Sequence, residues 1–306
     1  MDALTTALSA TLPAFFLIGL GAYADRRFPE LDLETLTRLS VYFFIPALVF
    51  NALIDTTLTL QSAALLSLGY VLYLLALGAL ALPFSAGLSG VQVRGVLVTS
   101  LFGNTGNMGL PITLFAYGIA GLERAIVLLV ISLGLMFALG PALLSGKSES
   151  VGERIISTLK LPPIWATLAG VGYYLLSQNY GVSLPVSAER GIALLGNAAI
   201  PIMLMSLGMQ MHRSWTWSIG GAAWRATGLR LLAGPLIAYG VAVLLGLEPL
   251  DRNVLVLSAT MPAAVTMFVV AVEVQGDYEG VARTVVATTI GSLAAITAVI
   301  FLFPGG

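Results

Sequence analysis

The chain has 306 residues, of which 58% are hydrophobic and only 9% are charged, with a net charge of −1. An ordinary soluble domain has roughly 25% charged residues, so this composition excludes a soluble enzyme. Without a basic tail or stripe, nucleic acid is excluded as a partner. There is no cysteine and a single histidine, His212, so disulfides and Cys/His metal sites are excluded and no cofactor is expected.

Long apolar runs follow one another from end to end and indicate a polytopic α-helical membrane protein, in which a spanning helix needs about 20 apolar residues. The first run lacks the basic region and cleavage site of a secretory signal, so it is predicted to be a retained helix. Charged, Pro-rich and Gly-rich punctuation separates ten segments of spanning length. They are 4–24, 35–55, 61–84, 92–118, 123–145, 162–179, 187–209, 226–247, 252–274 and 281–303.

The longest polar interruption, SGKSESVGER from Ser145 to Arg154, lies between the fifth and sixth segments. It predicts a first five-helix repeat over 1–145, a cytoplasmic linker over 146–161 and a second five-helix repeat over 162–306. Because five is odd, two similar halves would enter the membrane in opposite orientations, as in inverted-repeat transporters.

The second and seventh segments correspond in a way that this repeat requires. They read ETLTRLSVYFFIPALVF and ERGIALLGNAAIPIMLM. Each has a glutamate twelve residues before a mid-helix proline, Glu34 with Pro46 and Glu189 with Pro201.

Basic residues predict the orientation of the chain. Eleven lie in or beside the loops that follow odd-numbered segments, and three lie on the opposite side. The eleven are Arg26, Arg27, Arg38, Arg94, Lys147, Arg154, Lys160, Arg213, Arg225, Arg230 and Arg283, and the three are Arg124, Arg190 and Arg252. The positive-inside rule then places both termini on the non-cytoplasmic side of the inner (plasma) membrane. Trp215, Trp217 and Trp224 are predicted at the membrane interface.

The fourth segment contains FGNTGNMGLP, from Phe102 to Pro111. In a helix interior glycine costs about 1 kcal/mol and proline about 3 kcal/mol, so this segment is predicted to form two half-helices. The second half-helix should begin near Pro111, since proline suits the first turn of a helix. In the ninth segment, LVLSATMPAAVTMFVVAVE from Leu255 to Glu273, a break is predicted at Pro262.

Interrupted backbone at membrane depth is tolerated only where it is buried in protein or lines a wet cavity. Two breaks that meet near the midplane would offer helix N-termini, amides from Asn104 and Asn107, and hydroxyls from Thr105 and Thr260. This set suits a small anion such as a carboxylate. The alternative is that the glycines and prolines only kink the helices and permit close packing. A nucleotide loop is not expected, because no strand precedes the glycines and no P-loop lysine follows them.

The strings NTGNMGLPI, FFIPALVFNAL and SATMPAA, in the fourth, second and ninth segments, resemble the auxin efflux carrier family, bacterial relatives of the plant PIN carriers. The resemblance extends over essentially the whole chain. It implies an all-α fold of ten transmembrane helices in two inverted repeats of five, broken crossover helices 4 and 9, and a homodimer. It also implies transport of organic anions such as auxin, malate or malonate. By motif, Asn104, Asn107, Pro111 and Pro262 would be crossover and substrate-contact positions.

We therefore expect a secondary transporter that moves a small organic anion across the lipid bilayer by alternating access. A channel or a ligand-sensing receptor with a transporter-like fold is the alternative. An intramembrane enzyme is not expected, because the central parts of the segments contain almost no acids, histidines or cysteines. Glu273 and Asp277 are candidates for proton coupling, with sodium coupling and uniport as alternatives.

Overall fold

The computed structural model describes residues 3–145, 159–213 and 220–304. The regular secondary structure of these residues is helical, as the composition predicts. Most of the predicted linker, with Lys147 and Arg154, lies outside the described residues, and so do Trp215 and Trp217.

Helix occupies every one of the ten predicted segments. The first half contains α1 (Ala3–Arg27), α2 (Leu33–Leu53), α3 (Leu60–Phe84), α4 (Gly90–Leu101) and α5 (Leu110–Ser145). The second half contains α6 (Pro162–Tyr180), α7 (Val186–Arg213), α8 (Gly221–Leu244), α9 (Pro249–Ala259), α10 (Val265–Glu273) and α11 (Tyr278–Leu302). In the described part of the chain, seven helical stretches are long and apolar enough to cross a membrane.

Three π-helical turns share one local cause. They are Ser40–Phe44 in α2, Thr105–Gly109 before α5 and Leu229–Ala233 in α8, and each ends two residues before a proline. Proline lacks the amide hydrogen that would close the preceding helical turn, and its ring clashes with the carbonyl four residues back. The chain relieves this conflict by widening the turn, which re-aims the side chains there.

Helix α5 bends at Gly118, which adopts φ 65° and ψ −161°. This conformation is readily adopted only by glycine. No heavy atom lies within 4 Å of the position that a Cβ would take there, so the requirement is one of backbone conformation and not of space. The bend turns the short arm that follows the π-helical turn away from the longer arm.

The helices pack in two groups. In the first group α7 packs against α1 and α2, and α2 packs against α6, while helices α3, α4 and α8–α11 form the second set of contacts. Helix α5 contacts members of both groups, and α1 also packs against α11. The boundary between the groups therefore runs through the middle of the molecule.

Helices α1 and α7 approach so closely that two glycines are needed between them. A Cβ on Gly21 would lie 2.0 Å from the carbonyl oxygen of Met205, and a Cβ on Gly208 would lie 1.9 Å from that of Ile18. Small residues at such crossings let the backbones touch, which is the main source of helix attraction in lipid.

Replacing Gly21 with alanine should destabilise the fold by about 1–3 kcal/mol, because the added methyl group must push α7 away. Gly19→Ala is the matched control two residues earlier in α1, where nothing lies within 4 Å of the new Cβ. Thermal unfolding of the two purified variants in the same detergent measures the difference. Equal unfolding temperatures would show that the α1–α7 contact is not this tight.

Candidate functional site

The two breaks predicted from the sequence meet backbone to backbone. Helix α4 ends at Leu101 and α9 ends at Ala259, and the chains that follow pair in antiparallel fashion with Gly103 opposite Ala263. The amide of Asn104 donates to the carbonyl of Pro262 at 2.7 Å. Two further groups, the amide of Ala264 and the carbonyl of Phe102, pair at 2.9 Å. Each break therefore satisfies part of the other's backbone.

The π-helical turn Thr105–Gly109 satisfies the remaining backbone of the first break. The amide of Thr105 donates to the carbonyl of Gly103 at 2.8 Å, and the amide of Gly109 donates to that of Asn104 at 3.0 Å. Within the described residues, the Asn107 side chain makes no hydrogen bond to this backbone.

A cavity of about 320 Å³ lies beside the paired breaks, at the boundary between the two helix groups. Its walls come from the first break, the start of α10, the π-helical turn of α2, the middle of α5 and the last third of α7. The polar residues of these walls are Thr37, Ser40, Asn104, Thr105, Asn107, Ser206, Gln210 and Thr266. None of the described residues that line the cavity carries a formal charge.

Three buried side-chain groups in the cavity wall have no hydrogen-bond partner in the described structure. They are the side-chain amide nitrogen (Nδ2) of Asn104, the hydroxyl of Ser206 and the side-chain amide oxygen (Oε1) of Gln210. Asn104 is 8% exposed and Ser206 is 3% exposed. A buried polar group left unpaired costs about 1–3 kcal/mol, so these groups are poised for a polar ligand.

The start of α10 adds a favourable electrostatic field to the same wall. Its first residues, Val265 and Thr266, line the cavity. Amide hydrogens in the first turn of a helix lack intrahelical partners and carry about half a positive charge in total. The wall thus combines an amide donor with a helix N-terminus, which favours a small anion over a cation.

Of the predicted substrate-contact residues, Asn104, Thr105 and Asn107 line the cavity. Pro111, Thr260 and Pro262 do not. Pro111 is buried in the first turn of α5, and the Thr260 hydroxyl donates to the carbonyl of Val256 at 2.8 Å. Pro262 contributes its carbonyl to the pairing of the two breaks, and substrate contact by these three residues stays a prediction.

The two acids proposed for proton coupling lie outside the cavity wall. Glu273 is exposed at the last residue of α10. Asp277 caps α11 by accepting a hydrogen bond from the amide of Gly280 at 3.1 Å. Proton coupling through either acid stays a prediction, and the cavity geometry gives it no support.

One counted charge needs a correction. The sequence predicts that Arg230 flanks a loop, but this residue lies within α8, in the π-helical turn Leu229–Ala233, and is 0% exposed. Its guanidinium donates to the carbonyl of Met261 at 2.7 Å and to the hydroxyl of Tyr73 at 2.9 Å. The sequence does contain a signal for the burial of Arg230, because this residue lies inside the apolar run LRLLAGPLIAYG. A charged residue at membrane depth is by itself a reason to suspect a functional site.

Ser206 and Gln210 were also missed by the sequence analysis. They lie on the face of α7 that the cavity exposes, four residues apart and hence on one side of the helix. Nothing in the seventh segment marks that side, because the helices that it faces are distant in sequence.

The chain is similar to known membrane transport proteins along most of its length. A family model described as "Membrane transport protein" matches residues 6–153 and residues 148–301. The chain belongs to this membrane transport protein family. An "Uncharacterized transporter" of Methanothermobacter thermautotrophicus is 31% identical over 87% of this chain and 88% of its own. This member of the family is therefore a multi-pass membrane transporter and not an enzyme.

Two other relatives carry names that mention a substrate. A protein of Rhizobium meliloti named "Putative malonate transporter" is 26% identical over 96% of this chain and 95% of its own. A rice protein, "Auxin efflux carrier component 3a", is 27% identical over 38% of this chain and 19% of its own. The predicted resemblance of this transport protein to auxin efflux carriers is confirmed.

In this transport protein, Gly103→Ala should destabilise the paired breaks severely. The new Cβ would lie 1.7 Å from a guanidinium nitrogen of Arg230, which is itself held by carbonyl groups. Gly106→Ala, in the same motif, is the control because its nearest neighbour is a methyl group of Leu129 at 3.5 Å. Detergent-solubilised yield and unfolding temperature measure the effect, and equal behaviour of the two variants would contradict it.

Proposed function

We propose that this protein is a secondary transporter of a small organic anion carrying a carboxylate, which binds in the cavity beside the paired breaks. The observation that carries the proposal is the unpaired, buried side-chain amide nitrogen (Nδ2) of Asn104 in an uncharged cavity wall. A carboxylate oxygen accepts hydrogen bonds and would satisfy this donor while lying near the N-terminus of α10.

The size of the cavity and the names of the relatives support the same substrate class. A volume of about 320 Å³ is at the small end of ligand pockets, which span roughly 300–1,000 Å³. Malonate and auxin, named for two relatives, are both carboxylates that fit such a space. The mostly apolar walls, with Leu129, Leu133 and Met203, would contact the rest of the substrate.

The proposal includes ten membrane spans arranged as two inverted repeats, over 1–145 and 162–306, with a crossover at the paired breaks. Two observations support it. The two family matches divide the chain near residue 150. The stretch Thr105–Ser145 would be about 60 Å long if straight, twice the hydrocarbon thickness, and its bend at Gly118 allows it to contribute to two spans. The predicted homodimer belongs to the same proposal.

The place of the cavity supports alternating access as part of the proposal. Because its walls come from both helix groups, a rigid-body movement of one group against the other would expose the same site to either side of the membrane. A channel would instead need a continuous path, and a receptor would bind without flux. Accelerated uptake of labelled malonate into proteoliposomes preloaded with malonate would support the carrier, and binding without flux would favour the receptor.

Replacing Asn104 with alanine tests the recognition of the carboxylate. A hydrogen bond to a charged group is worth roughly 1.5–3 kcal/mol, so the affinity for malonate or auxin should fall by about ten- to a hundredfold. Asn179→Ala is the control, since that asparagine is exposed near the end of α6 and is absent from the cavity wall. Binding to folded, purified variants by calorimetry is the measurement. Wild-type affinity in the Asn104 variant would contradict the proposed contact.

The orientation is also proposed, with both termini outside the cytoplasm. Removing Arg230 from the count leaves ten basic residues against three, and the bias keeps its sign. Since the chain has no native cysteine, Lys160→Cys and Glu248→Cys give single-cysteine proteins labelled at exposed positions. An impermeant maleimide should reach residue 248 from outside intact cells and residue 160 only from the cytoplasmic side. The reverse pattern would invert the topology.

A further inference from the structure

Arg230 is a buried charge close to the candidate site, and it does not itself line the cavity. Its side chain is fully buried, and every hydrogen-bond acceptor around it is neutral. The acceptors are the carbonyls of Met261, Ser100, Leu101 and Ser258, at 2.7, 3.0, 3.1 and 3.3 Å, and the hydroxyl of Tyr73 at 2.9 Å. Among the described residues, no carboxylate pairs with Arg230. Such a charge is tolerated at membrane depth only if its surroundings carry compensating negative potential.

The compensation comes from two helix ends. Ser100 and Leu101 close α4, while Ser258 lies in the last turn of α9 and Met261 lies just beyond it. Carbonyl groups in the last turn of a helix lack intrahelical partners, and each helix end carries about half a negative charge. One guanidinium therefore balances the C-termini of both half-helices.

The carbonyl groups that accept from Arg230 are also of the kind that can bind a metal cation. In transporters with interrupted helices, carbonyl groups at half-helix C-termini are the ligands that coordinate the coupling cation. Here those carbonyl groups are occupied by a cation that belongs to the chain. A guanidinium satisfies several planar acceptors at once and keeps its charge at any physiological pH.

The guanidinium is also close to the candidate site. Gly103 lines the cavity, and a Cβ on that residue would be 1.7 Å from a guanidinium nitrogen of Arg230. The charge therefore lies against the backbone that forms the cavity wall. Without Arg230, the negative ends of α4 and α9 would lie next to the bound anion with nothing to neutralise them.

We propose that Arg230 is a built-in cation, a positioning residue that fills the carbonyl ligands at the paired breaks and allows the anion to bind without sodium. This inference rests on the proposed function and specifies its ion requirement. Arg230 does not contact the substrate. It acts through the two half-helix ends and through the electrostatic potential at the cavity wall.

The test measures malonate and auxin binding to purified protein in sodium chloride and in choline chloride at equal ionic strength. Wild-type affinity should agree within about twofold between the two salts. Arg230→Met, which removes the charge, should lose roughly ten- to a hundredfold in choline, as expected for one unit charge near an anion at an effective dielectric constant of about 20. Millimolar guanidinium or sodium should restore part of that affinity, because either ion can occupy the freed carbonyl groups.

Arg230→Lys separates charge from shape, since it keeps the charge with fewer donors. It should bind within a few-fold of the wild type and remain independent of sodium. If Arg230→Met cannot be purified in folded form, the wild type in two salts and the lysine variant decide the question. A purely structural clamp would give two equally poor variants that no cation restores, and that result would overturn the proposal.

Failure of the inference is distinguishable from failure of the proposed function. Wild-type protein that binds a carboxylate only in sodium overturns the built-in cation and leaves the anion site standing. A folded Arg230→Met variant with wild-type affinity does the same. Wild-type protein that binds no carboxylate in either salt overturns the anion site and, with it, this inference.

Discussion

The structure depends on one constraint, the need to satisfy backbone groups where a helix stops inside an apolar medium. No water is available at that depth, and each unpaired group costs several kcal/mol. Two interruptions answer the requirement together. Across the breaks, the backbone amide of Asn104 donates to the carbonyl of Pro262, and the backbone amide of Ala264 donates to the carbonyl of Phe102. The guanidinium of Arg230 donates to further carbonyl groups at the two breaks. Each interruption therefore supplies hydrogen-bond partners for the other.

Proline produces functional geometry here by an indirect route. Each of the three π-helical turns precedes a proline, and each occurs where side chains are needed. Two of them, Ser40–Phe44 and Thr105–Gly109, contribute residues to the cavity wall, and the third carries Arg230. A widened turn rotates the following helix and changes which side chains face inward. The prolines thus act on residues that precede them and need not contact a ligand themselves.

Much of the fold could be predicted from the sequence because the signals are local. Apolar run length located the helices, and the glycines and prolines of FGNTGNMGLP located the first interruption. The cavity residues Asn104, Thr105 and Asn107 were found because they lie inside that motif. Ser206 and Gln210 were not, since the face of α7 that meets the cavity is decided by helices far away in sequence. The prediction that Arg230 flanks a loop was wrong for a related reason. Its partners include backbone carbonyl groups, which every residue has, so the residue types in the sequence do not indicate them.

Other charged residues show the same limit of local reasoning. Asp25 lies near the end of the first apolar run, yet it is 5% exposed and accepts hydrogen bonds from Arg213 at 2.8 Å and His212 at 2.9 Å. Asp251 is 1% exposed and pairs with Arg124, far away along the chain. Both pairs join helices that the sequence gives no means of aligning. Charged residues that look like surface residues in the sequence thus form buried contacts between helices in the fold.

The buried guanidinium has an energetic consequence for the transport cycle. A cation that is part of the chain returns with the chain, so it cannot be left on the far side of the membrane as a free ion would be. Under the proposed cycle, the net charge moved is that of the organic anion alone. A membrane potential of 100 mV acts on each such charge with roughly 2.3 kcal/mol, and a cytoplasm that is electrically negative favours its exit. The voltage would then add to the concentration gradient of the substrate as a driving force, and the sign of the substrate's charge would decide which direction the voltage favours.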